Sequence, residues 1–395
     1  MANSPGSMAA VKQMNRAAIL RAARQSGGIS RAAIAKETGL TKGGLTPLVE
    51  ELLALGLLRE AEREKTESGR HPMRLVIEPQ ACYAVAVDWT RTHASAALVD
   101  FDGERHNSVL LPSQPKMTQE SALALLVKAI NGVLDAERKT LGIAVVAPGP
   151  LDSFDGVVLC PPHFGGIRDM PVKAMLEARY NLPVFVDNNA NAHALAEKNY
   201  GFGRQFDSFL HIIVDEGIGG GMVRRRALYR GAFGLGSELG HMTIQHGGER
   251  CACGNFGCAE LYAAIPALME AVRRRRDCAA LEWADVLDLL ANGSASVHAE
   301  LDRESAYLAD LLVSAVNLFS PQAVVLGSQI AQAGAAIAEP LQKRLRQRCF
   351  HPAMREIPVL CSAMEQPSLI GGASLVFDAF LDGALGSYES VMDVK

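Results

Sequence analysis

The chain has 395 residues, 49% of them hydrophobic, with 39 Lys and Arg against 43 Asp and Glu and a formal net charge of −4. That length exceeds one ordinary core, so two or three domains are expected. No segment offers the roughly 18 uninterrupted apolar residues of a membrane span, and the first residues lack the charged start and apolar run of a secretory leader. The expectation is a soluble, cytoplasmic protein with no membrane partner.

Residues 1–10 carry no apolar periodicity and read as a disordered N-terminus. Residues 11–78 read as a winged helix-turn-helix. Between residues 11 and 80 there are 12 Lys and Arg against 8 Glu, and the remainder holds 27 against 35. A basic segment thus precedes an acidic body, the pattern of a nucleic-acid contact at one end. Val11, Ile19, Leu20 and Ala23 recur at helical spacing up to Ser26-Gly27-Gly28. Ser30 caps a short helix with Ala33, Ile34 and Ala35 that Gly39 closes, and Thr41 caps a third helix running through Leu45, Leu48, Val49, Leu52 and Leu53 to Gly56. The second of two such helices enters a major groove with its first residues facing base edges. Lys42 and Thr46 are therefore candidates for groove contact. Leu57-Leu58, a charged stretch ending in Ser68-Gly69-Arg70-His71-Pro72, and Leu75-Val76-Ile77 follow as a two-stranded wing, with Arg70 and Arg74 candidates for phosphate or minor-groove contact. Gly43, Gly44 and Pro47 oppose a regular third helix, because interior Pro costs about 3 kcal/mol and leaves the Gly43 carbonyl without its donor. A kink, or ordering only on DNA, is the expectation there.

Beyond residue 80, apolar runs alternate with helical stretches. Ala84–Val87, Leu141–Val146, Val184–Val186, Phe209–Val214 and Ala323–Leu326 read as buried strands, which argues for an α/β fold in two lobes.

The stretch Cys251-Ala252-Cys253-Gly254-Asn255-Phe256-Gly257-Cys258 lies ten residues after His241 and just before Glu260. Three thiolates and one imidazole form a closed tetrahedral set for Zn²⁺, with no position left for water, so the expected role is structural. His246 is a rival to His241. The other five of the eight cysteines, Cys82, Cys160, Cys278, Cys349 and Cys361, are scattered among apolar neighbours and read as reduced core residues.

With the cysteine loop stand the strand-loop Val214-Asp215-Glu216-Gly217-Ile218-Gly219-Gly220-Gly221 and the segment from Gly231 to Ser237-Glu238-Leu239-Gly240-His241. Together they make the chain resemble, along nearly its whole length, the ROK family of sugar kinases and sugar-responsive repressors. The resemblance implies an actin-like, two-lobed sugar-kinase fold over residues 80–390, with the zinc loop at about 241–260. The preceding winged helix-turn-helix resembles the transcription-factor branch.

Measured against the family pattern, the kinase chemistry is degraded. The first phosphate loop, Asp-x-Gly-Gly-Thr in the family, reads Asp88-Trp89-Thr90-Arg91-Thr92 here. The second, Gly-Thr-Gly, reads Asp215-Glu216-Gly217, which places two carboxylates where a polyanion would approach, each repelling a phosphate charge at about 4 Å by roughly 4 kcal/mol. Leu326-Gly327-Ser328 replaces a double glycine. Asn-Asp-x-Asn-Ala, whose Asp is the family's catalytic base, becomes Asn188-Asn189-Ala190-Asn191-Ala192, and an amide takes no proton at neutral pH. Asp187 is a substitute base only if it turns to the other face of its strand. The resemblance assigns sugar hydroxyls to Glu238, His241 and Glu260, with Asn188 and Asn189 reaching in from the opposite lobe.

The expected protein is a pseudokinase that keeps a sugar pocket. It would act as a DNA-binding regulator, expected to be a repressor, with operator DNA and a sugar or phosphosugar effector as partners and a homodimer or tetramer as the working form. The alternative is an ATP-dependent sugar kinase with a divergent site.

Overall fold

The computed structural model describes residues 8–61, 73–114, 116–161, 164–276 and 280–393. They fall into two compact units, one within residues 1–151, 155–187 and 372–395, the other within residues 152–154 and 188–371.

The first unit opens with helix α1 (Met8–Ser26), the two-residue strand β1 (Ile29–Ser30), and helices α2 (Arg31–Thr38) and α3 (Lys42–Ala54). Strands β2 (Leu58–Ala61) and β3 (Arg74–Ile77) pair antiparallel, with Leu58 opposite Ile77, and β1 adds a third strand on the far side of β3. Ile19, Leu20, Ile34, Leu45, Val49, Leu52, Leu57 and Leu75 are buried together as the core of this head. Helix α1 starts at Met8, so part of the segment expected to be disordered is helical, and Val11, expected inside, is exposed. Both predicted caps are present. The Ser30 hydroxyl accepts from Ala33 N–H at 3.2 Å and the Thr41 hydroxyl from Gly44 N–H at 3.2 Å, while Gly39 ends α2 at φ 73°.

Helix α3 runs through Pro47 without interruption, against expectation. Two devices hold its first turn: Leu45 N–H bonds the Thr41 carbonyl at 2.9 Å, and the Thr46 hydroxyl donates to the Lys42 carbonyl at 3.0 Å. Burial of Leu45, Leu48, Val49 and Leu52 outweighs the missing bond, since each large apolar side chain stabilises by about 1.5–3 kcal/mol when fully buried.

The rest of the first unit is one mixed sheet. Strands β4 (Tyr83–Trp89), β5 (His93–Asp100) and β6 (Arg105–Pro112) form an antiparallel meander. Helix α4 (Gln119–Asn131) then leads to β7 (Thr140–Ala147), parallel to β4. After the short ladder of β8 (Leu151–Asp152) and β9 (Val157–Val158), helix α5 (Val172–Tyr180) precedes β10 (Val184–Asn188), giving the order β10-β7-β4-β5-β6.

The second unit repeats this plan. Helix α6 (Asn189–Tyr200) precedes the antiparallel meander β11 (Phe209–Val214), β12 (Ile218–Arg224) and β13 (Ala227–Tyr229). Helices α7 (Glu260–Ala263), α8 (Ile265–Arg276), α9 (Trp283–Ala291) and α10 (Ala295–Phe319) lead to β14 (Ala323–Gly327), parallel to β11. Helices α11 (Ala335–Arg348) and α12 (Pro352–Arg355) precede β15 (Val359–Cys361), parallel to β14, for the order β15-β14-β11-β12-β13. Read in chain order the two sheets have the same topology. Helix α13 (Pro367–Leu381) begins in the second unit and ends in the first, where α14 (Tyr388–Asp393) follows.

Each of the five predicted apolar runs falls inside a strand, β4, β7, β10, β11 and β14 in turn. Their residues are buried nearly throughout, as expected of strands covered by helices. Cys82 and Cys349 are core residues as expected and Cys361 is half-buried; Cys160 is exposed, because the loop after β9 carries it outward, and Cys278 lies outside the described residues. Among the described residues no helix is long and apolar enough to cross a membrane.

Candidate functional site

The β11–β12 hairpin of the second unit organises the site. Val214 pairs with Ile218, and Asp215 N–H bonds the Gly217 carbonyl at 2.9 Å to close the turn. Strand β12 is pressed from both sides. A Cβ on Gly221 would stand 2.4 Å from the Ala190 carbonyl oxygen at the start of α6, and one on Gly220 would stand 2.6 Å from the Ser237 carbonyl oxygen on the other face. Glycine is what lets two segments approach the strand this closely. The glycine run therefore does packing work: it holds the Asn188-Asn189 corner against one face of the hairpin and the Glu238-to-His241 segment against the other.

Asn188 is the N-cap of α6, its Oδ1 accepting from Asn191 N–H at 2.7 Å. Asn189 is exposed, its Oδ1 bonded to the adjacent Ala190 N–H at 3.0 Å. Asp187 is buried. Asn188 and Asn189 belong to the same compact unit as Glu238, His241 and Glu260, not to an opposite one as the sequence suggested, because β10 ends at the unit boundary and α6 packs on β12. Glu238 is exposed by area, yet desolvation raises its pKa, with His241 opposing the shift and Glu260 adding to it.

Behind it lies the cysteine loop. The ligand atoms of His241, Cys251, Cys253 and Cys258 all fall within 4.8 Å of one another and could hold a metal ion. Cys251 Sγ stands 3.7 Å from His241 Nδ1, and Cys253 Sγ 3.7 Å from Cys258 Sγ. The loop folds back through bridges pairing Thr243 with Cys258 and Arg250 with Phe256. It depends on Gly257, which has φ 68° and would place a Cβ 1.8 Å from the Gln245 carbonyl oxygen. Glu260 Oε1 lies 3.6 Å from both His241 Nδ1 and Cys251 Sγ, so the carboxylate stands against the ligand set. The exposed His246 is not among the four, which removes it as the rival ligand. Asn255 went unnoticed in the sequence. Its Nδ2 approaches Cys258 Sγ at 3.5 Å, the His241 carbonyl at 3.2 Å and Thr243 Oγ1 at 3.0 Å, and its position between two ligand cysteines was the available signal.

The segments that the family pattern compares with phosphate loops are held by contacts of their own. Thr90, Arg91 and Thr92 form the turn between β4 and β5, where the Thr90 and Thr92 hydroxyls each lie 3.0 Å from His93 Nδ1 and Thr90 N–H bonds the His93 carbonyl at 2.8 Å. Asp215 is turned away from the solvent approach imagined for it. Its Oδ1 accepts from Gln329 N–H at 2.9 Å, and burial raises its pKa, which leaves Glu216 as the exposed carboxylate of the pair. Ser328 has φ 63°, a backbone conformation that glycine adopts more readily than other residues.

On the head, Lys42, Gly43, Gly44, Thr46 and Pro47 are exposed along one face at the start of α3. Arg74 is engaged by its own fold, its guanidinium donating to the Gly28 carbonyl at 2.9 Å and the Gly27 carbonyl at 3.3 Å. Arg70 lies outside the described residues.

The family model described as "ROK family" matches residues 84–379. The chain belongs to the ROK family. It is 29% identical over 379 residues to the xylose repressor of Bacillus subtilis strain 168, covering 94% of this chain and 97% of that protein. Among solved structures, a ROK family transcriptional regulator described as a homolog of the E. coli MLC protein superposes with TM-score 0.82 at 25% identity, covering 97% of this chain and all of that one. A ROK family glucokinase from Streptomyces griseus, in complex with glucose and AMPPNP, superposes with TM-score 0.65 at 25% identity and covers 98% of its own length but 74% of this chain. The two sheets described above are thus the α/β core of the ROK sugar-kinase-like fold.

Proposed function

We propose that this ROK protein is a DNA-binding transcriptional repressor whose body receives a sugar and does not phosphorylate it. The observation that carries the reading is the head, a winged helix-turn-helix with a capped third helix whose leading face, Lys42 to Thr46, is open to solvent. The match to a ROK family transcriptional regulator over 97% of this chain supports it.

In the body the residues suit binding. Glu238 and Glu260 can each accept from two neighbouring hydroxyls, and Asn188 and Asn189 offer amide donors and acceptors at the start of α6. With Nδ1 of His241 turned to the cysteines, Nε2 is the ring atom left for a hydroxyl. Asn189 can orient a sugar hydroxyl but cannot take its proton, and the Thr90–His93 turn fills the place of a glycine-built phosphate cradle.

Cys251, Cys253, Cys258 and His241 Nδ1 would hold a structural Zn²⁺. Zinc–sulfur bonds of about 2.3 Å in a tetrahedron set sulfurs about 3.8 Å apart, close to the 3.7 Å separating Cys253 and Cys258. When bound, the ion closes the loop and fixes the His241 ring, so that pocket geometry depends on loop order.

Two copies of the head would read a palindromic operator, with Lys42 and Thr46 at base edges. A sugar shifts the occupancy of DNA only through unequal affinity for the DNA-competent and DNA-released states. The test is fluorescence anisotropy of an operator duplex from the gene's own upstream region, with and without a panel of neutral and phosphorylated pentoses and hexoses that begins with xylose. Release of DNA by one sugar supports the reading. Phosphorylation of that sugar with MgATP overturns the receptor assignment.

A further inference from the structure

The basic face of α1 is spent inside the first unit. Arg21 pairs with Asp382 at 2.8 Å and Arg24 with Asp378 at 3.0 Å, both acids coming from the end of α13 and the turn after it. Gln13 Nε2 donates to the Gly386 carbonyl at 3.1 Å. These contacts seat the head on the C-terminal segment.

Arg16 differs from its neighbours. Its side chain is 4% exposed, and its guanidinium is divided between two elements, α3 and α14. One edge, Nε and Nη2, holds Glu51 on α3, with Nε at 2.9 Å. Nη1 holds Glu389 on α14 at 2.6 Å. Lys12 adds a second cation to Glu51 at 2.7 Å. A buried cation is tolerated when its donors are taken up on every side, and a planar guanidinium alone among side chains offers two such edges. A lysine at this place supplies one point charge and cannot serve both acids in the same geometry.

Helix α13 has a second attachment at its other end. In the second unit Ser368 Oγ lies 2.9 Å from His193 Nε2, and Gly371 lies against Ala192, both on α6 one turn beyond Asn189.

We propose that Arg16 is the positioning residue through which the C-terminal segment sets the recognition helix α3, so that a change in α14 reaches Glu51 through Arg16. Its link to sugar rests on the repressor reading above; the positioning of α3 does not.

The experiment is hydrogen exchange on the full-length chain, comparing wild type with Glu389→Gln, Arg16→Lys and Asp382→Asn. Among the described residues Glu389 makes no ion pair with α3, and it is half exposed, so its change to Gln is expected to leave the fold in place. Asp382 is an equally exposed member of the same seam, but its partner Arg21 does not reach α3. Glu389→Gln and Arg16→Lys are expected to speed exchange in the last two turns of α3 at least threefold, while Asp382→Asn leaves them unchanged. Equal effects of Glu389→Gln and Asp382→Asn on α3, whether both null or both large, overturn the proposal. On DNA, Glu389→Gln is expected to bind the effector sugar within twofold of wild type while cutting the sugar-induced change in operator affinity at least threefold. A wild type that ignores every sugar defeats the repressor reading and leaves the exchange comparison to decide on Arg16.

Discussion

His193 and His211 meet edge to face in the interior of the second unit, ring centroids 5.7 Å apart. His193 Nε2 is bonded to Ser368, whereas among the described residues neither ring nitrogen of His211 has a hydrogen-bond partner. Burial drives the pKa of His193 down to about 3, and burial followed by the neighbouring ring drives that of His211 well below its ordinary value.

A histidine whose folded pKa lies below its unfolded value stabilises fully above about pH 6.5, and that contribution is lost as pH falls toward the folded pKa. Each such group costs up to about 1.4 kcal/mol per pH unit across the window. Denaturant unfolding at pH 7 and pH 5 should therefore show a steep acid loss in the wild type. His211→Leu, which removes a buried base without a partner, should lessen that loss by at least about 1 kcal/mol. Parallel losses in the two proteins would contradict the assignment.

Removal of the ion by a chelator, or Cys258→Ser, should loosen the loop between His241 and Glu260 and weaken sugar binding at least tenfold, because Glu260 stands against His241 and Cys251. Titration calorimetry before and after chelation measures the effect, and metal analysis of the purified protein identifies the ion. Unchanged sugar affinity in a metal-free protein would separate the cysteine loop from the pocket.

Glu238→Ala should abolish the sugar response while operator affinity without sugar stays within about twofold of wild type, since Glu238 lies far along the chain from the head and carries no structural hydrogen bond as a cap. Anisotropy on the operator reads both quantities. A normal sugar response in this variant would remove Glu238 from the pocket.

Asn189→Asp should restore the carboxylate of the family pattern without creating turnover, because the segments Thr90-Arg91-Thr92 and Asp215-Glu216-Gly217 still lack glycines of that pattern. A coupled assay for ADP release, run with the effector sugar and MgATP, checks this. Measurable turnover in the single variant would show that the phosphate positions are open.

Much of the site was legible because its chemistry is local. The cysteine spacing fixed the metal candidates, and the caps at Ser30 and Thr41 fixed two helix starts, since a cap acts within three residues. What escaped depended on long-range packing. Pro47 did not break α3 because the buried face of that helix outweighs one absent hydrogen bond. Asp215 looked like an exposed repellent charge until Gln329, more than a hundred residues away, supplied its backbone donor. Ser328 looked like a lost glycine, yet the fold imposes the positive φ on it. Nothing in the sequence singles out Arg16, because its partner Glu389 lies at the other end of the chain.

The central claim is that a sugar received by the body releases DNA held by the head without being phosphorylated. The most direct measurement is calorimetric titration of the metal-loaded protein with the sugar panel and, separately, with MgATP. The account predicts saturable binding of one sugar and no binding of MgATP. Tight MgATP binding, with sugar phosphate accumulating when both are present, would contradict it.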